Sequence, residues 1–145
     1  MSRILVIEDE AAYRMLIKMW LERAGHQVEV AHNGRVGERM LRDGGFDLAI
    51  TDIVMPDQEG IETIRGLRRD GVTIPILAMS GGGALDNMFY LRTAAALGAD
   101  DTIAKPFTAS TLLARVDRLV FGKQQPQAGE AGTQIPSPQL DVSVA

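Results

Sequence analysis

Four short apolar runs each end on a residue able to do chemistry. Ile4-Leu5-Val6-Ile7 is followed by Glu8-Asp9, and Leu48-Ala49-Ile50 by Thr51-Asp52. Ile76-Leu77-Ala78-Met79 is followed by Ser80 and Gly81-Gly82-Gly83, and Thr102-Ile103-Ala104 by Lys105-Pro106. Carboxylates gathered in one place repel one another, and one of them resists ionisation unless a cation compensates. A cluster of oxygen donors without His or Cys selects a hard ion, so Mg²⁺ is expected, with Mn²⁺ or Ca²⁺ as substitutes. Lys105 would add a positive point charge, Ser80 a hydroxyl donor, and Gly81 to Gly83 a set of backbone N–H groups. Together these suit a phosphoryl group. Carboxylates can act as nucleophiles and form aspartyl phosphates. Asp52, on the central run, is the candidate acceptor.

Such a constellation needs a scaffold that brings strand ends together. A further apolar run, Val28 to Ala31, makes five in all, and the stretches between them have helical spacing. The first carries Ala12, Met15-Leu16 and Met19-Trp20 before Gly25, a residue suited to a left-handed helix stop. The second starts at Asn33, a good N-cap, and passes Val36 and Met40-Leu41 to Gly44-Gly45. The third carries Ile61, Ile64 and Leu67 and ends at Asp70-Gly71. The fourth holds Leu85, Met88-Phe89, Leu91 and Ala95 before Gly98, and the last starts at Thr108 and shows Leu112-Leu113, Val116 and Leu119-Val120. Strand alternating with helix predicts an α/β fold, a doubly wound parallel sheet covered on both faces. Either common strand order fits this pattern. In such sheets ligands bind beyond the carboxyl ends of the strands, where the acids, the hydroxyl and the lysine would converge.

Composition narrows the field. The 145 residues suit one domain, and 46% apolar with 23% charged residues is ordinary for a globular chain. With no cysteine there are no disulfides, thiolate nucleophiles or cysteine metal sites, which fits the cytoplasm. The start has too short an apolar run for a signal peptide, and no window approaches a membrane span. A net charge of −4 and a pI of 5.1 argue against direct nucleic-acid binding. From 123 to 145 the chain carries three of its six prolines and no aromatic residue, and this stretch is expected to be a flexible low-complexity tail after a domain over 2–122.

The segments Ile4-Leu5-Val6-Ile7-Glu8-Asp9-Glu10, Asp52-Ile53-Val54-Met55-Pro56 with Gly60, the Ser80 turn and Lys105-Pro106-Phe107 resemble the receiver domains of two-component response regulators. The likeness covers about residues 2 to 122. It implies a five-stranded flavodoxin-like (βα)5 fold of strand order 2-1-3-4-5. It implies that Asp52 is the phospho-acceptor and Asp9 a direct Mg²⁺ ligand. Asp52 and the backbone carbonyl of Val54 would complete the metal site, with Glu8 acting through water. Ser80 and the backbone of Gly81 would contact the phosphoryl group, Lys105 would pair with it, and the Lys105-Pro106 bond would be cis. The implied partners are a sensor histidine kinase or histidine phosphotransfer protein and a downstream protein target, for a stand-alone monomer or phosphorylation-dependent dimer. Two departures stand out. Thr102 occupies the place of the family's usual switch aromatic, and the 25 positions from Ser80 to Lys105 suggest a long loop before the fourth helix.

Plainer roles compete for several residues. Asp9 and Asp52 could serve only as caps, since Asp is favoured there. His26 and His32 read as solvated, and Met15, Met19, Met40 and Met88 as core filler. Arg65, Arg68 and Arg69 read as an exposed helix face, Trp20 as packing and Tyr13 as a surface contact for a kinase. A signalling domain rather than an enzyme is expected. The alternatives are a small aspartyl-nucleophile phosphohydrolase and a receiver-like binding module that is never phosphorylated. The phosphohydrolase reading wants a second acid two residues after the nucleophile, where Val54 cannot donate a proton.

Overall fold

The computed structural model describes residues 1–53, 59–81 and 92–124. Strands β1 (Arg3–Ile7), β2 (Gln27–Ala31), β3 (Leu48–Asp52), β4 (Ile76–Ser80) and β5 (Asp101–Ala104) alternate with helices. These are α1 (Ala11–Arg23), α2 (Gly34–Asp43), α3 (Glu59–Arg69), α4 (92–97) and α5 (Ala109–Gln124). All strand pairs are parallel, in the order β2-β1-β3-β4-β5. The doubly wound order implied by the resemblance is therefore present. No described helix is long and apolar enough to cross a membrane.

Strand alternation divides the core into two layers. Ile4, Val6, Leu48, Ile50, Leu77, Met79 and Ile103 face α1 and α5, where they meet Ile17, Leu21, Leu112 and Val116. Leu5, Ile7, Ala49, Ile76 and Ala78 pack on the other face with Leu41, Ile64, Leu67 and Ala94. Each fully buried Ile or Leu contributes about 1.5–3 kcal/mol of burial free energy. With both faces covered, β3 and β4 are buried along their whole length.

Local signals set most helix ends where the residues indicate. The Asn33 side chain accepts a hydrogen bond from the Val36 N–H at 2.8 Å, and Thr108 caps the last helix by accepting from Thr111 N–H at 3.1 Å. Gly25 takes φ +97° just past α1, a conformation in which a Cβ would strain the backbone. Asp9 is not the cap of α1: that place falls to Glu10, whose side chain makes no capping bond.

Several expectations need correction. Met15 (60% exposed) and Met19 (38%) are not core filler. The α1 side chains that reach the core are Ile17 and Leu21, with Tyr13 and Trp20 packed against them. Arg68 is not part of an exposed face. Its guanidinium donates to the carbonyls of Gly98 at 2.9 Å and Val72 at 2.8 Å and pairs with Asp100 at 2.7 Å, whereas Arg65 and Arg69 are exposed. His26 is half-buried, and its Nδ1 accepts from the Ser2 N–H at 3.2 Å. His32 is exposed as expected. Helix α5 runs through Gly122 to Gln124, past the expected boundary at 122, because one glycine costs a helix only about 1 kcal/mol. Met88, the loop at 82–91 and the tail from 125 onwards lie outside the described residues.

Candidate functional site at the carboxyl rim of the sheet

Strand register brings the chemistry-bearing residues to one level. Ile7 is opposite Thr51, Asp52 opposite Met79, and Ser80 opposite Ala104, so Glu8, Asp52, Ser80 and Lys105 all lie where the strands stop. The ladders run slightly further: Ile53 N–H donates to Met79 O at 2.9 Å, and Lys105 N–H to Ser80 O at 2.7 Å. These bonds tie the acid, hydroxyl and lysine strands together just at the rim.

The Lys105 ammonium is 2.6 Å from a Glu8 carboxylate oxygen and 2.8 Å from one of Asp52. Carboxylate oxygens of Glu8, Asp9 and Asp52 lie within 4.8 Å of one another, with Glu8 and Asp52 buried and Asp9 exposed. This donor set is hard and all-oxygen, and its open side at Asp9 faces water, which suits a divalent cation that keeps part of its hydration shell. Burial, the largest influence, pushes the Glu8 carboxyl up to about 7, reinforced by Asp52 and opposed by the bond to Lys105. Burial draws the Lys105 ammonium down, but the bonds to Asp52 and Glu8 outweigh it and leave the group above its usual value. The rim is thus crowded with negative charge that Lys105 meets in part.

Ser80 is fully buried at the end of β4, with its hydroxyl donating a long bond to the Gly81 carbonyl at 3.4 Å. Gly81 adjoins Lys105: a Cβ there would sit 3.5 Å from the lysine Cδ. The Lys105-Pro106 peptide is cis, as the resemblance implied. Val54, Gly82 and Gly83 lie outside the described residues. Thr102 occupies β5 opposite Ala78, and its carbonyl accepts a bond from Arg115 of α5.

Three contributors were not assigned to the site by their residue types. Arg14 donates to the Glu8 carbonyl at 2.8 Å and thereby braces the turn that aims the acid pair. Gly60 lies so close to β3 that a Cβ would run into the Asp52 carbonyl oxygen, so α3 can approach the acceptor strand only with glycine there. Tyr13 lies with its ring centre 4.5 Å from the Lys105 ammonium, and its ring meets Phe107 edge-on at 5.6 Å. Gly60 stands with Asp52 to Pro56 in the resemblance, whereas the Arg14 and Tyr13 contacts have no local sequence signature; all three depend on tertiary approach.

The family model described as the response regulator receiver domain matches residues 4–117. A probable transcriptional regulatory protein of Picosynechococcus is 42% identical over 132 residues, covering 86% of this chain and 51% of that protein. A CheY-like receiver domain protein from Methanospirillum hungatei superposes with a TM-score of 0.77 at 27% identity, covering 87% of this chain and 98% of that one. The response regulator TrrA from Thermotoga maritima, solved in complex with Mg²⁺ and BeF, gives a TM-score of 0.71 at 28% identity over 82% of this chain and 99% of that one. The chain spans 51% to 62% of the length of the first curated relatives it matches.

Proposed function

The chain belongs to the response regulator receiver domain family, and from that premise we propose that Asp52 accepts a phosphoryl group from the phosphohistidine of a sensor histidine kinase or a histidine phosphotransfer protein. The observation that carries this reading is the gathering of the Glu8, Asp9 and Asp52 carboxylates within 4.8 Å around an ammonium held at 2.6 and 2.8 Å. Asp9, Asp52 and the Val54 carbonyl would hold Mg²⁺, with Glu8 reaching it through water. The magnesium complex of the TrrA structure is in line with that choice of ion. When bound, the ion neutralises charge that develops on the phosphoryl oxygens.

The chain's own residues do the rest. An Asp52 carboxylate oxygen attacks phosphorus as the P–N bond to the donor imidazole breaks, and the imidazole, already protonated on its other nitrogen, leaves neutral. Lys105 turns from the carboxylates to a phosphoryl oxygen. Ser80 and the Gly81 N–H donate to the others. Water later attacks the acyl phosphate, restoring Asp52 and releasing inorganic phosphate. Self-phosphorylation and autodephosphorylation of this kind make a signalling domain rather than a turnover enzyme.

Output would follow from the inward pull on Ser80 and Lys105, which changes the surface of α4, β5 and α5. With threonine at 102, that signal would pass through the β5 backbone and its Arg115 bond to α5 rather than through a rotating aromatic ring. We assign the domain to the cytoplasm, acting through protein contacts as a monomer or a phosphorylation-dependent dimer. The domain's acidity speaks against direct contact with nucleic acid, although its curated relatives are named as transcriptional regulators. The test is intact mass after incubation with acetyl phosphate and Mg²⁺. One phosphoryl adduct is expected, lost in Asp52→Asn. No adduct, or an undiminished one in Asp52→Asn, overturns the proposal.

A further inference from the structure

Lys105 has a third partner that neither carries charge nor competes for a cation. Its ammonium lies 4.5 Å from the centre of the Tyr13 ring, within the range of a cation–π contact. The ring is itself fixed. Phe107 meets it edge-on at 5.6 Å with 62° between the planes. Phe107 in turn packs against Trp20 at 6.3 Å. Helix α1 and the segment after β5 thus form a small aromatic wall beside the lysine, which is 13% exposed.

The contacts of Lys105 differ in how they respond to a bound cation. Glu8 and Asp52 hold the ammonium by charge, and that charge is shared once a divalent ion enters the carboxylate cluster. Phosphorylation moves the negative charge of Asp52 off the carboxylate and outward onto the phosphoryl oxygens, so the ammonium must give up its first seat to follow it. A lysine has four rotatable bonds and about 2 kcal/mol of rotamer entropy, so loosening both pairs frees it to leave the rim. The face of Tyr13 keeps its attraction through these changes. We propose that Tyr13 is a positioning residue for Lys105, seating the ammonium within reach of the incoming phosphoryl group when the carboxylates turn to the cation. The inference rests on the phosphoryl-acceptor reading above. It assigns Tyr13 to the interior working of the site rather than to a surface contact.

The test compares wild type, Tyr13→Leu and Tyr13→Phe in the full chain, with acetyl phosphate as donor and Mg²⁺ as ion. Tyr13→Leu should slow adduct formation about five- to tenfold, the worth of a partly desolvated cation–π contact. Its Mg²⁺ dissociation constant should stay within about twofold of wild type, and Tyr13→Phe should restore the rate. The lysine seat is read separately by NMR: ring-current shielding should move the Lys105 ε-protons upfield in wild type and Tyr13→Phe, and not in Tyr13→Leu. The proposal is overturned by a Tyr13→Leu rate equal to wild type, by equal losses of rate and Mg²⁺ affinity, by a slow Tyr13→Phe, or by unshielded ε-protons in wild type. Absence of any wild-type adduct removes the acceptor reading, and the Tyr13 role in transfer with it. The shielding then still reports on the seat itself.

Discussion

The two ends of this sheet are built from the same residue types and hold their charges in opposite ways. At the amino end each acid meets a donor that satisfies it. The Arg3 guanidinium pairs with Glu29 and lies 4.3 Å from the Phe46 ring, while the Arg3 N–H donates to Asp47 at 2.8 Å. Asp100 takes a bond from Arg68 at 2.7 Å and another from the Ile76 N–H at 2.8 Å. At the carboxyl end, Glu8 and Asp52 share the ammonium of Lys105 with the Asp9 carboxylate close by, and the guanidinium of Arg14 is spent on backbone carbonyls. The amino end holds the strands in register. The carboxyl end keeps an excess of negative charge at a buried edge, which costs stability and leaves room for a cation. Polar residues that saturate one another are structural, whereas those left short of counter-charge mark where a ligand belongs.

That contrast can be broken most forcefully at Lys105. Lys105→Met leaves two buried carboxylates without their ammonium and should cost about 3 kcal/mol of stability in denaturant unfolding without metal. Saturating Mg²⁺ should return much of that loss. At the opposite end, Arg68→Met should cost about 2 kcal/mol by taking the donor from two carbonyls and the counter-charge from Asp100, with no recovery in Mg²⁺. Asp9→Asn sharpens the comparison, because Asp9 is exposed and its loss should leave stability almost unchanged. Calorimetry should instead find Mg²⁺ bound about tenfold more weakly, equivalent to about 1.4 kcal/mol.

The smallest effect belongs to His26. Burial, the main influence, lowers its value below the ordinary one, with Asp117 opposing and the amino terminus adding to the effect. The neutral ring is therefore the form the fold prefers, and its Nδ1 must stay unprotonated to accept from Ser2. The stability this gives is present above the unfolded value of about 6.5 and is lost as pH falls through the lower folded value. Unfolding measured from pH 7.5 to 5 should lose below about 1 kcal/mol from this source, and the loss should vanish in His26→Asn, whose amide accepts at every pH.

The legible part of this molecule was the part governed by local rules. Apolar runs such as Ile4 to Ile7 and Ile76 to Met79 announce buried strands, and Asn33 and Gly25 mark helix ends, because those signals act within a few residues. Placing Glu8, Asp52, Ser80 and Lys105 on one rim followed from where the runs stop, since parallel strands share their direction. Long-range choices were harder to see. Met15 and Met19 carry the same apolar signal as their buried neighbours on α1, and only packing against Phe107 and the core separates them. Arg68 and His26 look like surface residues until carbonyls 30 residues away, at Gly98, or a backbone N–H 24 residues away, at Ser2, come within bonding distance. Tyr13 belongs with these: nothing beside it in the chain announces a lysine 92 positions later.

The central claim is that the carboxyl rim, and not the amino end, takes a divalent cation against Asp52. The most direct measurement is a Mg²⁺ titration of uniformly ¹⁵N-labelled protein, followed by amide shifts. Saturable changes are expected at Glu8 to Glu10, Asp52 and Ile53, Ser80 and Gly81, and Lys105 and Phe107, with Ser2, Gln27, Asp47, Ile76 and Asp100 unmoved. Changes of equal size at the two ends, or none at the rim, would contradict it.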